Sequence, residues 1–196
     1  MPKVVDGEQR RAEIADAVLR LAARDGLAAV SLRAVATESG LNIGSVRHYF
    51  DGQRDLMRFA MRSTIDRVTA RLDLRRAALR PLAELSASDA VAQLTDFLAE
   101  LLPLDAPRLA EATVLVEFLV TARTDPDLTE LAAEALGGTL ALARRITSAL
   151  GHSDDLEAHR LAALLDGLTF RAVLGPEVTP PSVCRLVLQA HLASLR

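Results

Sequence analysis

Apolar residues recur at helical spacing along the whole chain. Ile14, Val18, Leu21 and Ala22 form one stripe of a segment from about Glu8 to Asp25, with Arg10, Arg11, Arg20 and Arg24 mostly outside it. Gly26 stops that helix. Behind Ser31, whose hydroxyl suits a helix N-cap, Leu32, Val35 and Ala36 repeat the spacing of one buried face. Gly40 stands where the chain must reverse, because glycine accepts the left-handed conformation that ends a helix. Asn42 is placed to cap a second short helix that buries Val46, Phe50 and part of Tyr49. Gly44, Arg47 and His48 fall on its other side, with Ser45 at the edge. A short helix, a glycine turn and a helix with small, basic and hydroxyl side chains outward suit docking into a DNA major groove.

Asp51-Gly52 reads as a turn, followed by a long helix from about Gln53 to Arg80 that Pro81 ends. Leu56, Phe59, Ala60 and Ile65 are spaced to cover the core of the first three helices, and Val68 and Leu72 carry the stripe away from it. Arg54, Arg58 and Arg62 share a face near that head, either against phosphate or as a solvated surface. Beyond Pro81 five further helical segments are predicted, near Ser88–Leu102, Arg108–Arg123, Asp127–Leu150, Asp155–Leu174 and Pro181–Leu195, with Pro or Gly between them. No segment alternates like a strand. The fold class is therefore all-α: a three-helix head over residues 1–52, a connector helix over 53–80, and a second helical domain over 81–196.

The last two segments are apolar on more than one side. Leu161, Leu164, Leu165 and Leu168 form a stripe in the first, as do Val183, Leu186, Val187 and Ala190 in the second. Ala162, Ala172, Val173, Leu188, Leu192 and Leu195 lie off those stripes. Two apolar sides need two surfaces to bury them, which a homodimer through a four-helix bundle provides. The interface candidates are Leu161, Leu165, Leu168, Val187, His191 and Leu195.

Charge sharpens this division. The net charge is -3, yet residues 1–80 hold 15 Lys and Arg against 10 Asp and Glu, and the remainder holds 8 against 16. A basic head on an acidic body fits a nucleic-acid-binding module joined to a different one, chance segregation being the alternative. Lys3 lies in a tail that either reaches toward DNA or is simply disordered. Arg or Asp interrupts every apolar run before membrane-spanning length, and no apolar block follows the basic N-terminus, so neither a membrane span nor a signal peptide is expected. One cysteine, Cys184, excludes an intrachain disulfide and a cysteine zinc site and suits a reducing cytoplasm.

Enzyme chemistry finds no foothold: there is no phosphate-binding glycine loop, nucleophile elbow or zinc-protease motif, and no cofactor is expected. His152, Asp155 and His159 resemble a metal set, but Asp154 and Glu157 read as a helix cap and its reciprocal partner, so no metal is assigned. Gly137-Gly138 marks either a kink or close packing. A regulatory pocket is expected among the middle helices, where Thr113, Glu117, Phe118, Thr121 and Arg123 place polar groups on an apolar segment and Asp166, Phe170 and Arg171 do so nearby. Glu117–Arg123 and Asp166–Arg171 contacts are the structural alternative. The ligand candidates are Thr113, Glu117, Phe118, Thr121 and Phe170, and with 3% aromatic residues and no Trp a small apolar ligand is favoured over a cation in an aromatic cage.

From Val30-Ser31-Leu32-Arg33-Ala34-Val35-Ala36 through Val46-Arg47-His48-Tyr49-Phe50 and Leu56, the chain resembles the tetracycline-repressor (TetR) family of bacterial regulators. The resemblance implies a homodimer whose two recognition helices enter successive major grooves of a near-palindromic double-stranded operator, and a helical domain whose ligand changes their spacing. By position it gives Ser45, His48 and Tyr49 to phosphates, Gly44 to close backbone approach, and residues 43 and 47 to base edges. Two positions depart from the family pattern: Ile43 and Gln53 stand where lysine is common, while Arg47 takes a position often held by an aromatic.

The residues agree on their own terms. Arg47 is able to bond a guanine through N7 and O6, a pairing worth about 1–3 kcal/mol of discrimination. Ile43 packs either on a thymine methyl or against the first helix, and hydroxyls and helix N-terminal amides are ordinary phosphate ligands. The DNA-binding candidates are Ser31, Asn42, Ile43, Gly44, Ser45, Arg47, His48, Tyr49 and Arg54. The expected function is a ligand-responsive transcriptional repressor; the rivals are an all-helical ligand carrier or enzyme without DNA binding, and a DNA-binding dimer without ligand response.

Overall fold

The computed structural model describes residues 7–195, and Lys3 lies outside them. Among the described residues there is no strand. The head comprises α1 (Gly7–Asp25), a 3-10 turn (Leu27–Ala29), α2 (Leu32–Ser39) and α3 (Ile43–Tyr49). The long α4 (Gln53–Ala77) leads through a second 3-10 turn (Leu82–Glu84) to α5 (Ala87–Leu98), which tightens into a 3-10 turn over Ala99–Leu101. Then follow α6 (Ala106–Ala122), α7 (Pro126–Ala149), α8 (Asp155–Leu174) and α9 (Pro181–Ser194).

The boundaries follow from local chemistry. Ser86, Asp105 and Asp125 each accept a backbone N–H from the first turn of the helix they precede, and Pro107, Pro126 and Pro181 occupy first turns, where a missing N–H costs nothing. Asp154 caps α8 as expected, but Glu157 does not reach back to it; its carboxylate pairs with Arg160 at 2.8 Å. The three residues considered for a metal have other partners: His152 bonds the Leu195 carbonyl at 2.8 Å, and Asp155, 3.7 Å from His159, is held by Arg144 at 2.7 Å. α7 runs unbroken through Gly137-Gly138, and a Cβ on either glycine would meet nothing within 4 Å, so neither supports a close approach.

Three apolar clusters organise the molecule. The head core joins Ile14, Val18, Val30, Val35, Val46 and Leu56, all fully buried, with Phe50. One further member is Val114 of α6. A second cluster places Met61 of α4 against Phe118, Leu128 and Leu131, and the largest unites α5, α7, α8 and α9 around Leu98, Leu102, Leu161, Leu188 and Leu192. Since α4 contributes Leu56, Met61 and Leu72 to the three in turn, it threads them together. Ion pairs brace the same helix on α7 and its approach: Arg54 reaches Asp127 at 2.7 Å and Asp125 at 3.1 Å, and Arg62 forks onto Glu134.

The two-sided character of α8 and α9 is present, but its sides are exchanged. Leu161, Leu165, Leu168 and Leu195 are buried within their own chain, so they are not free for a partner. On α9 the inward face is Cys184, Leu188, Leu192 and Leu195, leaving Val183, Leu186 and Val187 outward. Val187 is thus the one exposed member of the expected interface set; His191 is half-buried, its Nε2 without a hydrogen-bond partner. Periodicity alone does not tell two apolar faces apart. What separates them is the fit of leucines against α5 and α8.

Candidate nucleic-acid interface and regulatory cavity

The α2–α3 unit is built from its caps. Ser31 Oγ accepts the Ala34 amide at 3.1 Å, Gly40 ends α2 at φ +70°, and Asn42 Oδ1 accepts the Ser45 amide at 2.8 Å. Leu32, Leu41 and Ile43 pack partly against the head core, and Ile43 keeps part of its surface exposed. Val46 is fully buried and pins α3 from beneath, which turns Arg47 and His48 outward. Tyr49 is half-buried, its ring edge-on to His48 at 5.1 Å. A Cβ at position 44 would stand 3.2 Å from Asn42 Oδ1, so Gly44 keeps room for the cap as well as presenting bare backbone.

A shallow groove gathers Asn42, Gly44, Ser45, His48 and Tyr49 with Leu41 and Arg10 of α1. Ser31 lies outside it, at the start of α2. Arg54 also lies elsewhere: its guanidinium is held by the two aspartates before and within α7, which places it at the brace between α4 and α7. Much of the basic excess is likewise occupied. Arg20 and Arg24 both bond Glu38, at 2.9 and 3.1 Å, and hold its carboxyl below the ordinary range, Arg20 contributing most. Arg10 pairs with Glu13 at 2.7 Å. Arg33 on α2 and Arg47 on α3 are exposed and form no ion pair among the described residues. Two basic side chains near this unit lie outside the expected DNA-binding set: Arg33, exposed on α2, and Arg10 of α1, which lines the groove. Exposure on α2 was the available signal for the first, and nothing local marked the second.

A cavity of about 610 Å³ lies between α4, α6, α7 and α8. Its wall is largely aliphatic: Ile65, Val68 and Leu72 from α4, Leu115 and Leu119 from α6, Leu142 from α7. Glu100, 8% exposed, meets Arg75 at 2.8 Å and Arg108 at 3.4 Å, while Arg71 forks onto Glu111. Asp166, exposed on the cavity wall, forms no ion pair among the described residues, and the partial loss of water around it holds its carboxyl above the ordinary range.

Of the expected ligand residues, Phe170 lines this cavity and the other four do not. Thr113 and Thr121 donate their hydroxyls to carbonyls one turn back, those of Leu109 and Glu117. Phe118 is sealed in the second apolar cluster. Glu117 accepts the backbone N–H of Leu27 in the head. A polar residue on an apolar helix signalled a buried partner correctly, but that partner is a turn 90 residues away rather than a ligand. Asp166 makes no pair with Arg171.

Comparison with known proteins agrees with this geometry. A family model described as "Bacterial regulatory proteins, tetR family" matches residues 14–58, and one described as "BetI-type transcriptional repressor, C-terminal" matches residues 90–196. The chain is 33% identical to the HTH-type transcriptional regulator PksA of Bacillus subtilis (strain 168), over 100% of this chain and 94% of that one. It is 26% identical to the HTH-type transcriptional regulator BetI of Vibrio parahaemolyticus serotype O3:K6 (strain RIMD 2210633), over 98% and 94% of the two chains. A transcriptional regulator from Rhodococcus sp. Rha1 superposes with a TM-score of 0.77 at 28% identity, covering 94% of this chain and 95% of that one.

Proposed function

The chain belongs to the TetR family of bacterial transcriptional regulators, and on that premise we propose a homodimeric repressor whose ligand-filled cavity releases a near-palindromic operator. The observation that carries the DNA half is α3 itself. Its outward side carries Arg47, which forms no ion pair among the described residues, with the capped first turn and the Ser45 hydroxyl at the edge. Phosphate contacts from the first turn, with His48 and Tyr49, fix the register, and Arg47 reads the base edge.

One such helix gives too few contacts for specificity, so two copies are needed. Phe170 and Leu174 of α8 with Val183, Leu186 and Val187 of α9 supply an exposed apolar surface for that pairing. The recognition helices of such a dimer stand about 34–36 Å apart when they fit successive major grooves. A ligand that binds one spacing better than the other shifts the population away from the operator-binding form. The cavity favours a small apolar molecule, with Phe170 on its wall. On this reading residues 1–52 are the DNA-binding part, 53–80 the connector and 81–196 the ligand-binding and dimerisation part. The protein works in the cytoplasm, beside its DNA; no helix among the described residues is long and apolar enough to cross a membrane.

The test is selection of bound duplexes from a random pool, followed by a footprint and a salt titration. Two inverted half-sites and a steep loss of affinity with salt are expected, since released counterions drive phosphate binding. Failure to enrich any sequence overturns the reading.

A further inference from the structure

The 3-10 turn at Leu27–Ala29 joins α1 to α2, and nothing local caps it: Gly26, at φ +81°, has no side chain to accept the first free N–H. That N–H, on Leu27, is taken by the Glu117 carboxylate from the middle of α6. Leu27 and Val30 in the same turn are buried in the head core, and the turn runs directly into Ser31, the cap of α2. The head's internal connection is therefore finished by a side chain from outside the head. A Cβ on residue 26 would meet that carboxylate at an ordinary contact distance of 3.6 Å, so it is the backbone angle, φ +81°, that favours glycine there.

The helix that carries Glu117 is shared. Val114, three residues earlier on the same side, is 2% exposed within the head core. Its neighbouring stripe, Ala112, Leu115, Val116, Leu119 and Val120, forms one wall of the cavity. A rigid helix with one face on the cavity and another on the head moves both together.

We infer that Glu117 is a positioning residue for DNA binding: by capping the α1–α2 turn from α6, it passes displacement of the cavity wall to the reading head. This rests on the ligand-responsive reading above. It requires an acceptor at position 117 and not a negative charge, because the bond is to a neutral amide.

The experiment compares wild type with Glu117→Gln, which keeps a carbonyl acceptor, and Glu117→Leu, which removes it. Each is folded with the wild type's helical circular dichroism as the reference, and amide exchange is followed in the peptide containing Leu27. The cavity probe is Nile red, whose fluorescence reports occupancy independently of DNA. Affinity for a duplex enriched by the wild-type protein is measured with and without the dye. In wild type and Glu117→Gln the dye is expected to weaken binding about tenfold, within the usual range of coupling between sites. In Glu117→Leu the dye binds as before, Leu27 exchanges faster, and the dye's effect on DNA falls below about twofold.

Equal weakening in all three overturns the inference. Bound dye with unchanged DNA affinity in wild type overturns the ligand response itself, and the inference with it. Absence of dye fluorescence overturns the apolar-ligand reading only. The three backgrounds are then compared with Gly138→Trp, a tethered occupant at a cavity-lining position where a Cβ meets open space. A mere loss of stability lowers DNA binding without changing the ratio between dye-bound and dye-free forms.

Discussion

The Asn42 carboxamide oxygen accepts the Ser45 amide at 2.8 Å, so the residue that opens the recognition helix also satisfies one of its free donors. Asn42→Ala is expected to cost about 1 kcal/mol of stability, read from thermal unfolding. Asn42→Asp keeps the cap and the melting temperature but brings a negative charge beside the phosphates. It therefore weakens DNA binding while leaving unfolding unchanged, which separates the structural role from the electrostatic one.

Arg47 and Arg33 are both exposed and form no ion pair among the described residues, yet they face different tasks. Arg47→Ala removes about 1–3 kcal/mol of discrimination at one base pair and leaves affinity for mismatched duplexes nearly intact. Arg33→Ala weakens every duplex alike and flattens the dependence of log K on log salt by about 0.9 for one lost phosphate contact. Binding curves on matched and mismatched duplexes across salt distinguish the two. An Arg47→Ala protein that discriminates as sharply as wild type contradicts the base-reading role.

Leu186 and Leu165 test the exchanged faces of the terminal helices. Leu186 is 64% exposed, and Leu186→Asp is expected to sediment as a monomer with an unchanged helical spectrum. Leu165 is 2% exposed, and Leu165→Ala leaves a cavity in its own chain costing about 2–5 kcal/mol. Sedimentation combined with chemical unfolding assigns each residue to its surface.

Asp105 and Asp166 bend the acid limb of stability in opposite directions. The Arg108 guanidinium, aided by its backbone N–H, holds Asp105 below its ordinary 3.8. That stabilisation is present above 3.8 and is lost as pH falls through the lower folded value, so Asp105→Asn makes acid unfolding shallower. Asp166 is held above 3.8 by the loss of water around it, with no cation to offset this. Its contribution is fully present below 3.8 and is lost as pH rises through the raised folded value. Asp166→Asn is therefore expected to raise the melting temperature at neutral pH, with the gain vanishing in acid. Melting curves from pH 3 to 7 check both signs.

The helices were legible because their ends are written locally. Ser31, Gly40, Asn42 and Asp154 each act within four residues of themselves, and Pro107, Pro126 and Pro181 mark first turns. The head was legible for the same reason: Val46 and Phe50 have one apolar side each, so burying them turns Arg47 outward. What escaped sequence reasoning depends on long-range pairing. Glu117 and Arg54 find partners 90 and 73 residues away, and no local spacing announces either. In α9 both faces are apolar, and only the packing of Leu188 and Leu192 against the rest decides which turns in. Thr113, Glu117 and Thr121 lie off the cavity that Phe170 lines, because polarity on α6 shows that a partner exists without showing on which side of the helix it lies.

Val114 has a consequence for how this molecule is cut and joined. It sits at 2% exposure in the core of the head while belonging to a helix that begins at Ala106. A hybrid regulator made by grafting residues 7–80 onto a foreign body leaves an empty socket the size of a valine in the core of the head. Modularity in this chain ends at that side chain: the head travels only in company with a stretch of α6.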